Sequence, residues 1–232
     1  MNSPNERLIV ALDVPSATEA LAVVSRLGEA VSLYKVGMQL YTAEGPKVVR
    51  ELISSGKQVF LDLKYHDIPN TVAAAVREAA KLGVSMLTVH AAGGSKMLRA
   101  ATEAAQAQGG KTAVLAVTVL TSMAPDDLNQ IGVPGATIDQ VVRLGTLAIE
   151  AGCAGIVSSA HEVKALRAML GQNFLAVTPG VRPAGAAHGD QARVVTPAEA
   201  IAAGATHIVV GRPITAAADS VLAAKQILKE IA

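Results

Sequence analysis

The sequence predicts an α/β fold, a single (β/α)8 TIM barrel over residues 1–232, on three observations. Eight short apolar, β-branched runs alternate with Ala-rich amphipathic stretches. Such alternation implies βαβ units and a parallel sheet, and 232 residues over eight units give 29 each, a size suited to this barrel. Polar and charged residues also collect where the apolar runs end. An open doubly wound sheet is the rival, but it usually carries Gly-x-Gly-x-x-Gly after its first strand, and here the first run ends in Asp13-Val14-Pro15. No linker, low-complexity tract or charge block marks a second domain.

The elements follow in order. Strands are expected over Leu8–Asp13, Ser32–Gly37, Gln58–Lys64, Ser85–His90, Thr112–Leu120, Gly155–Ser159, Phe174–Pro179 and His207–Gly211. Helices are expected over Ser16–Leu27, Pro46–Ser54, Asn70–Leu82, Ser95–Ala107, Ile138–Ala151, Ala160–Leu170, Pro197–Ala203 and Ile214–Ile231. Ser16 stands three residues before Glu19, the spacing of a capping box. Gly28, Gly56, Gly83, Gly152, Gly171 and Gly204 each follow a helical stretch, where a left-handed cap is expected.

Composition narrows the function. Hydrophobic residues make up 51% of the chain, which fits a sheet covered on both faces. Aromatic residues are only 2%, with no Trp, so stacking platforms for bases are scarce. The net charge is +1 and no Lys/Arg block stands out, which argues against a nucleic-acid or anionic-membrane surface. The one cysteine, Cys153, sits in Ala-Gly-Cys-Ala-Gly with no His or acid beside it and reads as core filler in a reducing compartment. The N-terminus has no apolar signal core, and no apolar run approaches the ~18–20 residues of a membrane span, so a cytoplasmic protein is expected.

In this fold, active sites are built at the C-terminal ends of the strands and in the loops that follow. Those positions hold Asp13, Lys35, Asp62, Lys64, His90, Thr118 or Thr121, Ser158, Arg182 and Arg212. Asp62 and Lys64 are two apart on an apolar strand, so they share one face. Buried charges cost several kcal/mol each unless paired, and a catalytic site is one reason to place them there. The last two loops read differently. Thr178-Pro179-Gly180-Val181-Arg182-Pro183 and Gly211-Arg212-Pro213-Ile214-Thr215 combine glycine, an arginine fork and a helix start, the features of a phosphate site after strands seven and eight. His66 and His90 read as locally packed rather than metal ligands, and His161, His188 and His207 show no ligand spacing.

Together these segments resemble the bacterial orotidine 5′-phosphate decarboxylase family. The resemblance rests on Ala11-Leu12-Asp13, Lys35-Val36-Gly37, Asp62 through Thr71, Val89-His90-Ala91-Ala92-Gly93-Gly94, Leu120-Thr121-Ser122 and both arginine loops, and it spans nearly the whole chain. The Asp-x-Lys-x-x-Asp core is shared with related sugar-phosphate enzymes; its extension through Asp67-Ile68-Pro69-Asn70-Thr71 is far more specific. The resemblance implies that Asp13 and Lys35 hold ribose hydroxyls and that Asp62, Lys64 and Asp67 surround the reacting carbon. It implies that Thr121 meets the pyrimidine, that Gln191 touches phosphate and base, and that Arg212, the Gly211 amide and Arg182 bind phosphate. It further implies a homodimer in which Asp67 and Thr71 reach into the neighbour's site, and no cofactor or metal.

The implied reaction leaves an electron pair on pyrimidine C6, which no neighbouring carbonyl delocalises well. Lys64 is then the expected proton donor, beside carboxylates that stand where the substrate carboxylate must sit. A metal-dependent sugar-phosphate enzyme is a rival, but an extra acid near strand two is expected there and this chain offers Lys35. A non-catalytic phosphate-binding barrel is another. The Gly- and Ala-rich segment 183–191 is expected to be a loop that closes over phosphate.

Overall fold

A computed structural model describes residues 4–184 and 195–232. Eight parallel strands close into a barrel in sequence order: β1 (Leu8–Ala11), β2 (Leu33–Gly37), β3 (Gln58–Tyr65), β4 (Met86–His90), β5 (Ala113–Val117), β6 (Gly155–Val157), β7 (Leu175–Thr178) and β8 (His207–Val210). The barrel closes where Leu8, Ile9 and Val10 of β1 pair with Ile208, Val209 and Val210 of β8. The main covering helices are α1 (Ala17–Leu27), α2 (Pro46–Ser54), α3 (Pro69–Lys81), α4 (Gly94–Gln106), α5 (Thr137–Glu150), α6 (Ala160–Leu170), α7 (Pro197–Ala202) and α8 (Ser220–Glu230). None of the described helices is long and apolar enough to cross a membrane.

Side chains alternate across each strand, so the barrel has two cores. Outward residues such as Tyr34, Val36, Leu61 and Leu87 join the large cluster under the helices. Inward residues form a smaller cluster that includes Ile9, Leu33, Phe60, Met86 and Leu115. Two residues further along the same inward rows stand Lys35, Asp62, Thr88 and Val117. The interior is therefore greasy at its N-terminal end and charged at its C-terminal end.

Local signals explain the helix ends. Ser16 caps α1 by accepting the Glu19 N–H, and all six glycines expected after helices have positive φ. Three expectations need correction. The fifth strand is shorter than Thr112–Leu120, because Thr118 donates its hydroxyl and its N–H to Val157 O and the chain turns away. The final helix is not continuous over Ile214–Ile231. A short helix Arg212–Thr215 ends first, and Asp219 then caps α8 by accepting the Leu222 N–H at 2.9 Å. Short helices over Met38–Glu44 and Pro125–Gln130 lie where no element is expected.

Candidate active site

A cavity of about 450 Å³ opens at the C-terminal end of the strands. Apolar walls come from Phe60, Val117, Val157 and Val209, inward residues of β3, β5, β6 and β8. One side carries a chain of alternating charges. Asp13 Oδ1 is 2.8 Å from Lys35 Nζ, Lys35 Nζ is 3.8 Å from Asp62 Oδ2, and Asp62 Oδ1 is 2.8 Å from Lys64 Nζ. The Asp62 side chain is only 13% exposed and Lys35 11%, so this row is shielded from water while Asp13, at 59%, reaches the mouth. Each carboxylate lies against at least one ammonium, which offsets the cost of taking these groups out of water. Gly37 leaves room for it, since a β-carbon there would stand 2.9 Å from Lys35 Nζ and 3.2 Å from Asp13 Oδ1.

Lys64 is not on a regular pleat. Its φ is +52°, the one positive value among described non-glycine residues, and the pairing of β3 with β4 shifts register between Leu61 and Tyr65. The Lys64 N–H goes instead to Thr88 Oγ1 at 2.9 Å.

The loops after β7 and β8 make another side cationic. Arg182 and Arg212 both line the cavity, with Pro179, Gly180 and Gly211 beside them. Arg182 is 8% exposed, its Nε has no hydrogen-bond partner among the described residues, and its backbone N–H donates to Val195 O. Burial first, and then the Arg212 charge, lower the affinity of this guanidinium for its proton. A buried arginine, Arg182, and an exposed one, Arg212, on the same open cavity suit an anion with two or more negative oxygens. Gly211 also adjoins Asp13, its β-carbon position lying 3.9 Å from Asp13 Oδ2, so the cationic and alternating-charge sides meet there.

Eight of the expected site residues thus line one cavity: Asp13, Lys35, Asp62, Lys64, Thr121, Arg182, Gly211 and Arg212. Asp67 and Thr71 do not. Both are exposed, Asp67 Oδ1 accepting the Ile68 N–H and Thr71 standing in the first turn of α3. Gln191 and most of the 183–191 segment lie outside the described residues. No described histidine lines the cavity: His66 and His90 pack ring to ring with centroids 5.4 Å apart, and burial, His66 and Lys64 all disfavour a charge on His90. Burial pushes the Cys153 thiol up to about 12, as inert filler requires.

The sequence of this chain matches a family described as orotidine 5′-phosphate decarboxylase / HUMPS over residues 6–227. The chain belongs to that family. It is 54% identical over 226 residues to an orotidine 5′-phosphate decarboxylase of Halorhodospira halophila, covering 97% of this chain and 96% of that one. A decarboxylase of the same name from Heliobacterium modesticaldum is 51% identical over 233 residues, covering 98% and 96%. The crystal structure of orotidine 5′-phosphate decarboxylase from Lactobacillus acidophilus superposes with a TM-score of 0.87 at 40% identity, covering 97% of this chain and 98% of that one.

Within this decarboxylase/HUMPS barrel, three side chains had no assigned role in the sequence reading. Thr88 bridges Asp62 and Lys64, Ser158 lines the cavity and carries a buried hydroxyl without a partner among the described residues, and Thr215 lines the cavity too. Inward alternation from Met86 was the available signal for Thr88, and a polar residue at the end of the sixth strand was the signal for Ser158.

Proposed function

We propose that this chain decarboxylates orotidine 5′-phosphate to UMP and CO2, the closing step of de novo pyrimidine synthesis, with Lys64 as the proton donor to C6. The observation that carries this reading is the Asp13–Lys35–Asp62–Lys64 row sharing one apolar-walled cavity with Arg182 and Arg212. Phosphate binds to the arginines and the Gly211 amide, ribose hydroxyls to Asp13 and Lys35, and the pyrimidine edge to Thr121. The C6 carboxylate is then directed at Asp62 and Lys64. The bond from C6 to the carboxylate carbon breaks, CO2 leaves, and the electron pair stays on C6. The Lys64 ammonium stabilises that pair and transfers a proton to it, and the neutral amine recovers a proton from water.

Repulsion between Asp62 and the substrate carboxylate contributes as well. Two like charges ~4 Å apart repel by about 4 kcal/mol at an effective dielectric near 20. Enzymes commonly lower barriers by ~8–23 kcal/mol, so this relief is a minority share. Stabilisation of the carbanion by Lys64, and phosphate binding energy used at the reacting centre, supply the rest. The exposure of Asp67 and Thr71 supports a homodimer in which each enters the neighbour's cavity; sedimentation of a fully active monomer would contradict it. Gln191 is assigned to phosphate and base by the family resemblance.

The deciding experiment follows the fall in absorbance when orotidine 5′-phosphate is added to the enzyme in EDTA. Turnover undiminished by EDTA is expected. Activity that requires an added divalent cation would favour the metal-dependent sugar-phosphate chemistry, and no turnover at all would leave a phosphate-binding barrel.

A further inference from the structure

We infer that Thr88 is a positioning residue for Lys64, and that its hydroxyl holds the bulge in β3 from which the proton is delivered. The inference rests on the proposed role of Lys64. Thr88 stands on the inward row of β4, two residues beyond Met86, and is fully buried. Its Oγ1 is 2.9 Å from the Lys64 N–H and 2.9 Å from Asp62 Oδ1. A hydroxyl has one proton. The amide occupies a lone pair, so the proton goes to Asp62.

These contacts close a ring. The Lys64 N–H donates to Thr88, Thr88 donates to Asp62 Oδ1, and the same Oδ1 accepts Lys64 Nζ at 2.8 Å. Both ends of Lys64, its backbone amide and its ammonium, are thereby tied to one carboxylate oxygen. The ring is needed because Lys64 adopts φ +52° where the β3–β4 register slips, so its amide has left the strand ladder. Left-handed backbone in a residue with a Cβ persists only where its surroundings impose it. Thr88 is the side chain that does so. On a regular pleat Lys64 would follow Asp62 along the inward row without this second anchor, and its ammonium would have the freedom of a four-carbon stem.

The test compares Thr88→Ser, Thr88→Cys and Thr88→Val. Serine keeps the oxygen, cysteine replaces it by a weakly bonding sulfur of similar reach, and valine keeps the shape without either bond. In Thr88→Ser, kcat should stay within about threefold of the parent enzyme, while in Thr88→Cys it should fall about tenfold or more and in Thr88→Val further still. UMP affinity should stay within about threefold in all three, because UMP lacks the carboxylate and binds through the arginines, Asp13 and Lys35. The Ser/Cys pair preserves the comparison if Thr88→Val does not fold. Equal kcat in the Ser and Cys variants would overturn the inference, as would UMP affinity falling in step with kcat. If the parent enzyme itself leaves orotidine 5′-phosphate unchanged, the functional reading fails rather than the role of Thr88.

Discussion

Replacing Asp62 by Asn tests the charge row most directly, because it removes one charge and almost no volume. The asparagine carbonyl can still accept the Thr88 proton, and Asp13 still holds Lys35 at 2.8 Å. What is lost, besides the longer 3.8 Å pair with Lys35, is the ion pair between Asp62 Oδ1 and Lys64 Nζ at 2.8 Å. At an effective dielectric of about 20 that separation corresponds to about 6 kcal/mol. The Lys64 side chain is 25% exposed, and screening by water at the open mouth cuts the figure by about half, to ~3 kcal/mol. One decade of rate is about 1.4 kcal/mol, so kcat should fall on the order of a hundredfold. UMP affinity should change by less than about threefold, since its phosphate and ribose contacts are elsewhere. The assay is the absorbance decay for kcat, with UMP titration as the binding measure and thermal melting as the control for folding. A folded Asp62→Asn enzyme with kcat within about fivefold of the parent would refute the claim that this carboxylate sets the working position of Lys64.

For Lys64→Ala, UMP binding is expected to persist while decarboxylation drops by about a thousandfold or more, and unchanged turnover would remove the lysine from the proton step. Arg212→Ala should lower kcat/KM by about a hundredfold or more, with a loss below about threefold contradicting the use of phosphate binding energy at the reacting carbon. Stability should also depend on pH through His207, far from the site. Burial, and secondarily the Arg7 charge, lower its pKa from 6.5 to about 4, so the unfolded chain binds this proton at a higher pH than the folded one. The contribution is intact above pH 6.5, is lost progressively as pH falls toward 4, and amounts to about 3 kcal/mol. Urea titrations at pH 7 and 4.5 should show that loss, and His207→Gln should reduce it.

The barrel was legible because its strands are short apolar runs and its helices carry their own punctuation. The bounds of Pro46–Ser54 and Ala160–Leu170 coincide with those read from sequence, and the others mostly differ by a residue or two. Errors came where local propensity and tertiary contacts disagree. Ala216-Ala217-Ala218 reads as helix, yet Asp219 offers a better start for α8 by capping Leu222. The site was legible as a set of residues at strand ends, because chemistry-bearing residue types are rare on apolar strands. Its detailed geometry was not. Period-two alternation put Asp62 and Lys64 on one face, but the left-handed turn at Lys64 depends on Thr88, 24 residues later in another strand. No pattern within the third strand encodes that partner.

The layering inside the barrel has a practical consequence for changing this protein. Ile9, Leu33, Phe60, Met86 and Leu115 fill the lower interior, while the charged row begins one pleat higher at Lys35, Asp62 and Thr88. Heat tolerance and chemistry are thus written on different storeys of the same strands. A repacked lower storey can be selected for endurance by residue volume alone, without retuning the machinery above it. Phe60 is the largest residue at which the division breaks down, because, like Ala11 and Val209, it belongs to the lower cluster and also walls the cavity. A change there alters both storeys at once, so any campaign to harden this enzyme should leave Phe60 until last.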